Sequence, residues 1–184
     1  MFIETEQTPN PATLKFLPGK AVMDAGAAEF TDAETARRLS PLAGRVFDVG
    51  GVSGVYLGAD FISVTKAEGQ GWHQLKPVVL GAIMEHYLSG DPVALADAAL
   101  PEVSAVGDDE VVTKIKELLD TRVRPAVAQD GGDIVFHGFE RGVVYLNLRG
   151  ACSGCPSSTV TLKNGIENLL RYYVPEVAEV RSVA

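Results

Sequence analysis

The chain has 184 residues, 46% of them hydrophobic and 22% charged, a composition that buries a core in one or two small domains. Twenty-four acidic against sixteen basic side chains give a formal charge of −8, which disfavours attraction to phosphate backbones and sets nucleic acid aside as a partner. No apolar run approaches the roughly 18 to 20 residues that span a bilayer, and the start of the chain lacks a basic flank leading into an apolar stretch, so it reads as mature, not exported and without a membrane partner.

Thr13 to Leu17 alternates, with Leu14 and Phe16 on one face, and predicts a strand. Val46 to Val49, Val55 to Leu57 and Phe61 to Thr65 predict further short strands, separated by turns at Gly50-Gly51 and Gly58-Ala59-Asp60. One helix is expected near Ala33 to Leu42. A second covers about Trp72 to Leu88, where Leu75, Val79, Ile83 and Tyr87 recur at helical spacing until Gly90 stops the pattern. Residues 1–88 are therefore expected to form an α+β domain. The following stretch opens on Ser89-Gly90-Asp91-Pro92, is rich in Ala, Pro and acid, and keeps no amphipathic period, so 89–108 is expected to be a flexible linker.

A second domain over 109–184 opens with a helix capped by Asp108 or Asp109, with Val111, Ile115, Leu118 and Leu119 on one face, and Pro125 is expected to interrupt or kink it. Asp130-Gly131-Gly132-Asp133 turns into a strand over Ile134 to Phe139. Arg141-Gly142 turns that strand back into Val143 to Arg149, where Val144, Leu146 and Leu148 share a face. A helix with Leu162, Ile166, Leu169, Leu170 and Tyr173 on one face runs to Pro175, and Val177 to Val183 returns as a last strand. The predicted fold is α+β in two small domains. The second is helix-strand-strand-helix-strand, a three-stranded mixed sheet packed by two helices.

Only two cysteines are present, Cys152 and Cys155, in Gly150-Ala151-Cys152-Ser153-Gly154-Cys155-Pro156-Ser157-Ser158. A Cys-x-x-Cys pair just before a helix brings two sulfurs close to unpaired backbone N–H groups and the positive helix end, which favours thiolate. Pro156 suits a first helical turn, and Gly150 and Gly154 allow close backbone approach. Such a pair can cycle through a disulfide, supply half a zinc site, or give two thiolates to an iron–sulfur centre, which usually takes four. The disulfide reading fits less well, because the thioredoxin-like signature follows the first strand of a βαβ unit and this pair follows a hairpin. His73, His86 and His137 do not make up the missing ligands convincingly, so one chain cannot complete a four-thiolate site. Two chains can, if a two-fold axis brings both cysteine pairs together.

The string Arg124-Pro125, Asp130-Gly131-Gly132-Asp133, Gly150 to Thr159, Leu162-Lys163 and Gly165-Ile166-Glu167 resembles the NifU C-terminal domain of Nfu-type iron–sulfur cluster carriers. Thr8-Pro9-Asn10-Pro11-Ala12-Thr13-Leu14-Lys15-Phe16, with Trp72, Leu75-Lys76-Pro77 and Glu85-His86, is similar to the Nfu N-terminal domain. The resemblance implies a cluster carrier or scaffold and not an enzyme. It implies one [4Fe–4S] cluster per homodimer, bound through Cys152 and Cys155 of each chain and passed to apo iron–sulfur acceptor proteins after supply by upstream cluster-assembly proteins. It also implies a bacterial cytoplasmic location, which is favoured, or a mitochondrial matrix one.

Gly50-Gly51-Val52-Ser53-Gly54 lacks the Lys-Ser/Thr of a phosphate loop and reads as a hairpin turn. Asp130 and Asp133 are expected to fix a turn or meet a neighbouring chain. The Thr8-to-Phe16 string is assigned to partner recognition or domain docking.

Overall fold

The computed structural model describes residues 1–98, 110–153 and 156–183, with the backbone alone for 156–159. The chain divides into two compact units. Among the described residues no helix is long and apolar enough to cross a membrane.

In the first unit, β1 (Glu4–Gln7), β2 (Thr13–Leu17), β3 (Ala28–Phe30), β4 (Val52–Leu57) and β5 (Ile62–Lys66) make an antiparallel sheet in the order β1-β2-β5-β4-β3. Period-two alternation lays apolar rows across one face: Phe16, Ile62, Leu57 and Ala28 in one register row, Leu14, Val64, Val55 and Phe30 in the next. Helices α1 (Ala33–Leu39), α2 (Pro41–Asp48) and α3 (Trp72–Ser89) add Ala36, Leu42, Val46, Phe47, Leu75, Val79 and Ile83 to the same core. Gly90, at φ 76°, ends α3 in the left-handed conformation that glycine adopts at least cost.

Val46 to Val49, expected as a strand, belong to α2 as far as Asp48. Ser40 decides this locally. Its Oγ accepts the Ala43 N–H at 3.0 Å and Pro41 takes the first helical position, so a new helix starts there. The Ser40 N–H closes α1 on the Ala36 carbonyl at 2.8 Å, which makes two helices of the one expected over 33–42. Gly50 and Gly51, at φ 80° and 78°, consequently turn a helix into β4 rather than joining two strands.

Part of the expected linker is packed. Leu95 N–H donates to the Leu39 carbonyl at 2.8 Å, the Ser40 hydroxyl donates to the Val93 carbonyl, and Val93, Ala94 and Ala98 lie against the first core. Short apolar side chains drive this, ending in a 3-10 turn over Ala96–Ala98. Residues 99–108, and the cap expected at Asp108 or Asp109, lie outside the described residues.

The second unit starts with α4 (Glu110–Leu118), a π turn over Leu119–Val123 and α5 (Arg124–Gln129). Pro125 has no N–H, and its ring crowds the carbonyl four residues back. The wider π turn just ahead of it accommodates both, so the helical path continues. β6 (Gly132–Glu140), β7 (Val143–Gly150), α6 (Pro156–Tyr173) and β8 (Glu179–Val183) follow, with β7 in the centre, antiparallel to β6 and parallel to β8. This is the expected helix-strand-strand-helix-strand order and mixed sheet. Arg141 and Gly142, at φ 52° and 79°, make the two-residue hairpin turn. Ile115, Leu119, Val127, Ile134, Phe136, Val144, Leu146, Ile166, Leu170 and Val180 close the core.

Candidate metal centre

The centre grows from the point where α5, β6 and β7 meet. Asp130 caps α5, Gly131 at φ 78° swings the chain round, and Gly132 opens β6 opposite Gly150, the last residue of β7. Gly150, at φ 63°, starts a turn in which Ala151 N–H donates to the Gly131 carbonyl and Ser153 N–H to the Gly150 carbonyl, both at 3.1 Å. Cys152 lies in this turn and is 7% exposed, packed among the core side chains of the second unit. A Cβ placed on Gly132 would run into Cys152 Sγ, and would lie 3.0 Å from both the Arg149 carbonyl oxygen and the Cys152 backbone nitrogen. Cys155 lies outside the described residues, immediately before Pro156, where the 18-residue helix α6 begins.

Beside this turn, Arg124 forks onto Asp133. Its Nε and Nη2 donate to Oδ1 and Oδ2 at 3.0 Å each, while Nη1 reaches Asp120 Oδ1 at 3.1 Å. Asp133 is buried and its Oδ1 also accepts the Ile134 N–H at 2.8 Å. The hydrogen bonds it donates to Asp133, with the charge of that carboxylate, hold the Arg124 guanidinium still more firmly protonated than usual. Arg149, which pairs with Asp133 across the β6–β7 ladder, is also buried.

From the sequence Asp133 is expected to fix a turn or meet a neighbouring chain; in the structure its carboxylate pairs with Arg124. Gly132, Asp133 and Ile134 at the head of β6 are all buried, so Asp133 requires a fixed cation, whereas strand alternation alone places it on the face opposite Ile134 and hides that need. The histidines stay apart from the cysteine turn in character: His73 and His137 are exposed, and His137 occupies the bulge between Phe136 and Gly138. His86 is fully buried on α3, and neither ring nitrogen has a hydrogen-bond partner among the described residues. Among those residues no three His, Cys, Asp or Glu side chains gather closely enough to hold a metal ion.

In the first unit the Thr8-to-Phe16 string closes on itself. Asn10 Oδ1 accepts the Ala12 N–H at 3.0 Å, the Thr8 hydroxyl donates to the Asn10 and Thr13 carbonyls at 2.8 and 2.9 Å, and Trp72 Nε1 donates to the Pro11 carbonyl at 3.2 Å. These bonds shape the β1–β2 connection and lock α3 to it.

Residues 3–90 match the family described as "Scaffold protein Nfu/NifU N terminal", and residues 115–181 match the "NifU-like domain". A human protein named "NFU1 iron-sulfur cluster scaffold homolog, mitochondrial" is 50% identical over 184 residues, covering all of this chain and 72% of that protein. This chain belongs to the Nfu family. An Arabidopsis thaliana relative, "NifU-like protein 4, mitochondrial", is 51% identical over 185 residues, covering 98% of this chain and 65% of its own length. A solution NMR structure of a NifU-like protein from Saccharomyces cerevisiae is 24% identical, with a TM-score of 0.46, over 52% of this chain and 85% of that one. Within the Nfu pattern the Cys152 turn and the Arg124–Asp133 fork both fall inside the NifU-like match.

Proposed function

We propose that this chain is an iron–sulfur cluster scaffold and carrier. Cys152 and Cys155 of two copies hold one [4Fe–4S] cluster between them, and the cluster is cargo, released to apo-proteins rather than used for a reaction of its own. The observation that carries this reading is the cysteine pair at the junction of β7 and α6, inside the NifU-like region, in a chain with no other thiol. The name of the human relative supports the scaffold role.

A four-thiolate cluster outnumbers the two thiols of one chain, so a homodimer supplies the rest. Sharing also suits delivery. An acceptor thiolate adds to an iron, one scaffold thiolate leaves, and the exchange repeats ligand by ligand with no net redox change. On this chain the N-terminal end of α6, which follows the cysteine pair directly, favours the thiolate form that binds iron. Donor and acceptor proteins are partners recognised through their own thiolates. The relatives' mitochondrial designations support a matrix location for a eukaryotic chain and lend no support to the bacterial cytoplasm favoured from the sequence.

The test is anaerobic reconstitution of the full chain with iron and sulfide, followed by metal analysis and sizing. About four iron and four sulfide per two chains, with a shift to dimer, are expected. Cys152→Ser and Cys155→Ser should each abolish that content. A reversible two-electron thiol couple without metal, or bound zinc that resists sulfide, would defeat the proposal.

A further inference from the structure

We propose that Gly132 is a positioning residue for Cys152: the space left by its missing Cβ is the seat of the Cys152 sulfur, which stays inside the second unit until the 150–153 turn opens. The inference rests on the reading of Cys152 as a cluster ligand and adds a conformational step to it.

Three observations meet here. Cys152 Sγ occupies the position that a side chain at 132 would need, so only glycine leaves room for it. The walls of the seat are backbone: the Gly132–Gly150 register pair and the 3.1 Å bonds from Ala151 to Gly131 and from Ser153 to Gly150. The next residue, Asp133, is gripped by Arg124, which fixes the start of β6 against α5 and holds the seat in place. Close-packed surroundings of this kind do not yield by small continuous shifts.

With Cys152 only 7% exposed as a residue and its sulfur lodged against Gly132, that sulfur cannot meet an iron shared with a second chain while it remains seated. Loading a cluster therefore includes breaking the two turn hydrogen bonds and rotating Cys152 outward, and delivery includes its return. The seat shelters one of the two thiols from oxidants and alkylating agents between those events.

The experiment uses the full chain with Cys155→Ser, so that Cys152 is the sole thiol, and follows its alkylation by iodoacetamide before any iron is added. Alkylation should be slower by about tenfold or more in native buffer than in urea. Gly132→Ala should speed the native reaction by about tenfold, whereas Gly138→Ala, whose added Cβ meets nothing within 4 Å, should leave it unchanged. The fall in Tm caused by Gly132→Ala should shrink by about half or more in a Cys152→Ala background, because the clash is with the sulfur. A native rate equal to the urea rate overturns the proposal, and so does a folded Gly132→Ala chain with unchanged alkylation. If Gly132→Ala does not fold, the native-against-urea comparison decides alone. None of these readings involves iron. A chain that reconstitutes its cluster while Cys152 alkylates at the unfolded rate keeps the carrier function and loses the seat.

Discussion

Arg124 and Asp133 face each other through two parallel hydrogen bonds of 3.0 Å, and the carboxylate is almost entirely withdrawn from water while the guanidinium keeps one side exposed. Removing the cation leaves a buried charge uncompensated. Arg124→Ala should destabilise the second unit by about 2 kcal/mol, less than a fully buried pair because Arg124 is partly solvated. Arg124→Lys should recover less than half, since an ammonium cannot fork. Trp72 is the sole tryptophan and lies in the first unit, so its fluorescence midpoint should not move while amide exchange in β6 and β7 accelerates.

Gly150 sits at φ 63°, where a Cβ is strained, and Gly138 sits in open space within β6. Gly150→Ala should cost about 1 to 2 kcal/mol and Gly138→Ala should stay within about 0.5 kcal/mol of the parent. Calorimetry of the full chain, read on the transition that does not move Trp72, checks the contrast.

His86 is buried, neither ring nitrogen has a hydrogen-bond partner among the described residues, and desolvation, followed by the charge of Arg45, holds its pKa below the usual value, with Asp91 opposing. The unfolded chain therefore takes up a proton near pH 6.5 while the folded one does not, so the first unit is fully stable above that pH and weakens as pH falls below it. The Trp72 urea midpoint should drop between pH 7 and pH 5. His86→Leu should flatten that slope. An equal slope in the variant would remove His86 as its cause.

Asn10 is buried and accepts the Ala12 N–H through its side chain. Asn10→Ala strands that N–H and should lower first-unit stability by about 1 to 2 kcal/mol. Because Trp72 donates to Pro11 next door, a change in native tryptophan emission should accompany the loss.

Much of this was legible in the residues. Arg141-Gly142 announced its hairpin turn, Gly90 the end of α3, and the Leu75-Val79-Ile83 spacing its buried face. Val46-Phe47-Asp48-Val49 misled because its β-branched residues look strand-like, although Ser40-Pro41 upstream carries the cap and first-turn chemistry that makes it a helix. β1 and β3 were missed because each borrows its regularity from the neighbour it pairs with. Cysteine identity and spacing pointed to the chemistry, but the burial of Cys152 depends on Gly132, twenty positions earlier, and no local pattern carries a contact at that distance.

The pairing of β7 with β8 has a consequence for the order in which the second unit is made. β6 and β7 are joined by two residues and can zip together locally, whereas Val143 pairs with Glu179, thirty-six positions away, across a loop that holds the cysteine motif and all of α6. Closing that loop carries an entropy cost that the hairpin does not bear, so α6 and β8 dock late in folding, after the hairpin end that shapes the Cys152 turn. The Glu167 carboxylate, which accepts the Val180 N–H at 3.2 Å and ties α6 to β8, is thereby a latch on the last step. A chain loosened there would keep its hairpin, and with it the Gly132–Gly150 pair behind Cys152, and lose the docking of α6 first.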